Sequence, residues 1–144
     1  MRATVITDAS FCHQTKAGGW AAWIAYDQGP KGQHSGMFRS RPKDSGTAEL
    51  QAALNGIWLA YQNGARDILI QTDCMPVVHA VQGFGTGVYV AIYRDARRQH
   101  FPDAAVRAKH VRGHTSTDDA RSWCNRWADS AAKKQMRKQR EEQT

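Results

Sequence analysis

The sequence predicts an α/β domain built on a mixed five-stranded sheet, and three observations lead to that class. Three β-rich runs open the chain and are followed by strands alternating with helical patterns, in the order β-β-β-α-β-α-α-β-α. One long apolar stripe marks the first helix: Leu50, Ala53, Leu54, Ile57, Trp58 and Tyr61 recur at i, i+3, i+4, i+7, i+8 and i+11. The run Asp67-Ile68-Leu69-Ile70-Gln71-Thr72 is nearly continuously apolar, as a strand buried in a parallel pairing should be.

Taken in order, residues 2–8 form a first strand that ends in Asp8. Residues 20–27 follow the Gly18-Gly19 pair and 33–41 follow the Gly29-Pro30 turn, so the three strands make an antiparallel meander. Asp44, Ser45 and Thr47 offer N-caps to the first helix, and Asn63-Gly64 closes it. After the strand at 67–72, a short helix covers 76–82, broken by Gly83, Gly85 and Gly87, and another runs over about 88–99. Residues 105–111 alternate as a strand. The last helix starts near Asp119, with Trp123, Trp127 and Ala131 as a narrow apolar stripe, and only the last few residues fray. All five tryptophans (Trp20, Trp23, Trp58, Trp123 and Trp127) are expected in the core rather than as stacking platforms.

A chain of 144 residues suits one domain, here residues 1–140, whose basic C-terminal helix end and tail span 133–144. Hydrophobic residues at 41% and charged residues at 23% fit a globular protein with a sizeable core. No run is long and apolar enough for a membrane span, and the opening MRATVITDAS turns polar too soon for a secretory signal. A cytoplasmic location is therefore expected. Cys12, Cys74 and Cys124 are odd in number and form no CxxC pair, which argues against a disulfide framework and a structural zinc site. His13, His34, His79, His100 and His110 show no ligand spacing. The formal charge of +7 suits a polyanionic partner, because neutralising phosphates releases counterions.

Two segments echo each other, Val5-Ile6-Thr7-Asp8-Ala9-Ser10 and Leu69-Ile70-Gln71-Thr72-Asp73-Cys74. If their strands are parallel neighbours, Asp8 and Asp73 emerge side by side at the carboxyl edge of the sheet, where open α/β sheets bind ligands. Glu49 flanks the stripe of the first helix and leans toward the same edge, and Asp129 lies beside the stripe of the last helix. Carboxylates that converge repel one another, and a hard divalent cation removes the penalty. Each residue also has an ordinary structural role. An Asp after a strand forms turns, a Glu in a first turn serves the helix dipole, Asp129 mid-helix is solvated, and His114 after Gly113 is a loop residue.

The motifs in order carry a resemblance. Thr7-Asp8-Ala9-Ser10 with Gly18-Gly19-Trp20-Ala21-Ala22, Thr47-Ala48-Glu49-Leu50, Gln71-Thr72-Asp73-Cys74, Val111-Arg112-Gly113-His114 and Asn125-Arg126-Trp127-Ala128-Asp129 resemble the five motifs of type 1 ribonuclease H, over about residues 3 to 135. The resemblance implies that family's fold, a five-stranded mixed sheet flanked by helices. It implies an endonuclease that hydrolyses the RNA strand of RNA–DNA hybrids with little sequence preference. Asp8, Glu49, Asp73 and Asp129 would bind two Mg²⁺ ions (Mn²⁺ being the alternative), with Asp8 bridging them, and His114 would move protons or release product. Two-metal hydrolysis would leave 3′-hydroxyl and 5′-phosphate ends. A monomer is expected.

Three features depart from the family. The stretch from Asp73 to His114 lacks the basic protrusion of many bacterial members, so affinity must come from elsewhere, and Lys133, Lys134, Arg137, Lys138 and Arg140 are candidates beside their plain role at a helix end. The loop from His114 to Asn125 is long, and its Asp118 and Asp119 either cap the helix or approach the metals. Ser45 and Gly46 stand where two Asn often read sugar hydroxyls. Hybrid contacts thus fall to Ser10, Cys12, His13 and Gln14 after the first motif, to Ser45 and Gly46, and to Asn125, Lys133 and Lys134 on the last helix. The rivals are a DNA-cutting enzyme of related fold and a binding module without catalysis.

Overall fold

The structure is a computed structural model that describes residues 1–84, 87–112 and 120–142. Its elements are β1 (Arg2–Phe11), β2 (Gly18–Tyr26), β3 (Gly32–Met37), α1 (Ser45–Gln62), β4 (Asp67–Thr72), α2 (Met75–Gln82), α3 (Val88–His100), β5 (Ala105–His110) and α4 (Ala120–Glu141). The element order is the one the sequence predicts. The sheet runs β3-β2-β1-β4-β5, with the first three strands antiparallel and β1/β4 and β4/β5 parallel. No helix among the described residues is long and apolar enough to cross a membrane.

Local chemistry sets the helix boundaries. The Asp44 carboxylate accepts a hydrogen bond from the Thr47 N–H at 2.7 Å and caps α1, while Gly64, with φ +100°, turns the chain out of it. Pro76 opens α2, and Gly83 in the left-handed region ends it.

One face of the sheet packs on α1. Val5, Ile24, Leu50, Ile57, Ile68 and Ile70 are fully buried there. Gly56 lets α1 come close, since a Cβ on it would lie 2.7 Å from both Val5 Cγ1 and Thr7 Cγ2. The other face packs on α4 through Ala21, Ala128 and Ala132. The approach is closer still at Gly19, where a Cβ would overlap the Ala132 carbonyl oxygen and the Met136 nitrogen. Farther along α4 the buried Gln139 accepts from the Gly18 N–H at 2.6 Å and donates to the Phe38 carbonyl at 2.7 Å.

Several sequence expectations change. β1 runs on to Phe11, because Ala9, Ser10 and Phe11 pair with Trp20, Gly19 and Gly18, so Asp8 stands inside the strand and not at its end. β3 stops at Met37 instead of 41: the Phe38 N–H still donates to the Gly18 carbonyl at 3.3 Å, but its side chain is buried against Ala48 and Ala52 of α1 and the regular pairing ends there. Trp58 is 42% exposed and Trp123 48%, so neither is a core residue. Trp58 stands one residue, or about 100°, round α1 from the buried Ile57. The buried stripe of α4 is Cys124, Ala128 and Ala132, one residue off the aromatic one. Small residues take the face against Gly19, and Trp123 and Trp127 flank it, each edge-on to Trp23.

Candidate metal centre

Ile6 of β1 lies opposite Gln71 of β4, so the same register two residues on brings Asp8 level with Asp73. Each follows a buried threonine, Thr7 or Thr72. Asp8 pairs across the sheet with Ala21, whose side chain packs against α4, so Asp8 points to the α4 side. Glu49 comes from the start of α1, which lies over the opposite face. The three carboxylates meet at the sheet edge, where one oxygen from each of Asp8, Glu49 and Asp73 lies within 4.8 Å of the others.

Asp129 of α4 is the fourth expected acid. Its charge is felt at Asp8, but its own carboxylate is held by Lys133, with Nζ 3.0 Å from Oδ2 one helical turn on. It is not among the three that converge within ligand distance. His114 lies outside the described residues, as does the loop from Gly113 to Asp119.

The electrostatics follow from this crowding. Burial, then the charges of Asp73 and Asp129, push the Asp8 carboxyl up to about 7, although the Ala9 N–H donates to its Oδ1 at 2.9 Å. Burial, then the charges of Asp8 and Asp73, push Glu49 up to about 10. Without a counter-charge the pair therefore retains a proton near neutrality. Glu49 Oε2 is also buried without a hydrogen-bond partner among the described residues. A buried unpaired acceptor in an all-oxygen cluster of repelling acids is what a hard divalent cation satisfies, so Mg²⁺ or Mn²⁺ fits these residues.

The expected hybrid contacts differ in their exposure. Ser10 is half-buried, His13 and Gln14 are exposed, and Cys12 is buried in a turn closed by hydrogen bonds from the Cys12 N–H to the Ala17 carbonyl at 2.8 Å and from the Lys16 N–H to the Cys12 carbonyl at 2.7 Å. Hydrogen bonds from the Thr15 side chain and backbone pull the Cys12 thiol down to about 7. Ser45 is exposed. Gly46 is overlaid by Tyr89, whose hydroxyl a Cβ there would overlap, so its open flank is filled by side chain. Asn125 is half-buried and Lys134 exposed on α4. The Lys133–Asp129 pair is legible as an i, i+4 spacing of opposite charges, whereas nothing in the sequence signals the reach of Tyr89 across to the start of α1.

Solved structures of the same fold cover nearly the whole chain. Ribonuclease H1 of the halophilic archaeon Halobacterium salinarum aligns at a TM-score of 0.75 and 16% identity over 96% of this chain and 99% of that one. The N-terminal ribonuclease H domain of a Mycobacterium tuberculosis protein aligns at 0.75 and 14% over 99% of each. LC11-RNase H1, solved in complex with an RNA/DNA hybrid, aligns at 0.71 and 14% over 94% of this chain and 97% of that one. These likenesses show the fold, and the ribonuclease H resemblance read from the motifs is met at that level. No curated protein sequence matches the chain. Residues 6–98, more than half of the chain, match the reverse transcriptase-like family, and the chain belongs to that family.

Proposed function

We propose that this chain is a ribonuclease H, an endonuclease that hydrolyses the RNA strand of RNA–DNA hybrids with two divalent cations. The observation that carries the reading is the meeting of Asp8, Glu49 and Asp73 within 4.8 Å, with a buried Glu49 oxygen left unpaired. The fold agrees, and a hybrid is the partner in the LC11-RNase H1 structure. The formal charge of +7 suits a polyanionic substrate.

Asp8, Glu49 and Asp73, with Asp129 once released from Lys133, are the residues that would hold Mg²⁺ or Mn²⁺. Two such ions supply the Lewis acidity that activates a water and steadies the departing 3′-oxygen of a phosphodiester. Asp8 would sit at the centre of this set, since it feels the charges of both Asp73 and Asp129 and its own charge is felt at Glu49. Loading the site requires Asp8 and Glu49 to give up the proton they retain when no cation is bound. Binding rests on cationic side chains that meet phosphate, and strand choice on contacts to 2′-hydroxyls across the wide minor groove of the hybrid. The products are 3′-hydroxyl and 5′-phosphate ends, and the chain acts as a monomer in the cytoplasm.

A panel of end-labelled substrates in Mg²⁺ or Mn²⁺ tests this. Hybrid, single-stranded RNA, duplex RNA, duplex DNA and branched DNA are offered to the wild type and to Asp8→Asn. Cleavage confined to the RNA strand of the hybrid, and lost in Asp8→Asn, is the expected result. Cleavage of branched DNA with the hybrid left intact overturns it.

A further inference from the structure

Thr47, Gln51, Asn55 and Trp58 recur at i, i+4, i+8 and i+11 and so share one face of α1, the face turned away from the sheet. Two adjoining hollows of about 520 and 620 Å³ lie along it, and both are lined by Arg39, Gln51, Asn55 and Trp58. Arg39 and Lys43 are exposed, and among the described residues neither forms an ion pair. Asp95 is the acid among the lining residues, and Arg98 neutralises it at 2.6 Å. Arg41 adds a further positive charge, its guanidinium donating to the neutral Thr15 and Gln139 carbonyls. The groove is therefore cationic, carries side-chain amides along its floor and ends on a tryptophan with 42% of its surface in solvent.

We propose that this groove seats a single-stranded nucleic-acid segment that continues from the substrate, with its phosphates near Arg39 and Lys43 and a base stacked on Trp58. Charge complementarity selects a polyanion, and an exposed indole beside cations is how sequence-tolerant single-strand binding is built. The groove begins at Lys43 and Thr47, at the end of α1 that also presents Glu49 to the sheet edge. From Thr47 to Trp58 the helix rises roughly 16 Å, enough for a few nucleotides. The source of the strand rests on the nuclease reading above, but the groove chemistry does not.

The test compares binding, by fluorescence anisotropy in EDTA, of a blunt RNA–DNA hybrid and the same hybrid with a short RNA or DNA overhang. Titration with oligothymidylate alone, followed by tryptophan emission, forms the second arm. The overhang is expected to tighten binding by about tenfold, the scale of one base–aromatic stack. Trp58→Ala should remove that gain, Trp58→Phe should keep most of it, and Arg39→Gln should lower it. Oligothymidylate should quench emission in the wild type and not in Trp58→Phe. An overhang without effect in the wild type, or a gain that survives Trp58→Ala, overturns the proposal. If oligothymidylate binds at Trp58 while hybrid is neither bound nor cut, the groove stands and the nuclease reading falls.

Discussion

The Lys133 ammonium lies 3.0 Å from the Asp129 carboxylate, one turn along α4, and the charge of Asp129 is felt at Asp8. An ammonium so placed stabilises the Asp129 carboxylate when no metal is bound and competes with a divalent cation for it. Both partners are partly exposed, so solvent and salt moderate the effect. Lys133→Gln is expected to lower, several-fold, the Mn²⁺ concentration that half-raises the melting temperature of the free protein. An unchanged midpoint would show that the ammonium is no competitor.

Asp8→Asn removes one charge from a cluster that repels itself. Cleavage should fall to background, yet the metal-free protein should gain roughly 1–2 kcal/mol of stability, as functional sites often trade stability for activity. Urea unfolding in EDTA measures the second effect. A destabilised Asp8→Asn would mean that the hydrogen bond from Ala9 outweighs the repulsion.

The raised proton affinities of Asp8 and Glu49 also set a pH dependence. Free carboxyls of these types titrate near 4, so from about pH 4 up through about 7 for Asp8, and higher for Glu49, the folded state binds more protons than the unfolded one. Stability that rises with proton binding is lost as pH rises. The metal-free protein should lose on the order of 1–3 kcal/mol between pH 5 and 8, seen as a falling melting temperature. Mg²⁺ should restore it most at the alkaline end. A melting temperature that rises over this range would contradict the crowding of the acids.

The element order and the Asp8/Asp73 juxtaposition are legible in the sequence because both rest on repeated local patterns. The Thr-Asp echo is in phase with the β1/β4 register itself. The packing of α4 is not legible, because hydrophobicity points to Trp123 and Trp127 while close approach at Gly19 selects Ala128 and Ala132. Trp58 misleads for a related reason, since the apolar spacing of α1 runs one residue wider than its buried face and leaves that indole in solvent. The Asp129–Lys133 pair is legible as an i, i+4 spacing, but that Asp129 stays outside the three converging carboxylates is a matter of side-chain geometry.

The approach at Gly19 gives a packing prediction. A methyl there meets backbone, the Ala132 carbonyl and the Met136 nitrogen, and neither yields without moving α4 off the sheet. Gly19→Ala should cost about 2–3 kcal/mol, read as a lower urea midpoint at constant slope. Because Asp129 rides on the same helix, the variant should also need more Mn²⁺ for its thermal shift. A neutral Gly19→Ala would show that α4 sits farther out.

The basic end of α4 bears on what replaces a basic protrusion. Cutting the chain after Ala132 would remove its cations, but also the buried Gln139 and its bonds to Gly18 and Phe38. Charge replacement separates phosphate binding from packing, since Lys134, Arg137 and Lys138 are exposed. Changing all three to Gln should leave the melting temperature nearly unchanged, because exposed charges contribute little to stability. Hybrid affinity should weaken, and the slope of log K against log salt should flatten by about 0.9 for each phosphate that is no longer neutralised. A slope equal to that of the wild type would place the phosphate-binding cations elsewhere, and would leave these three only the role of favouring the C-terminal end of the helix dipole.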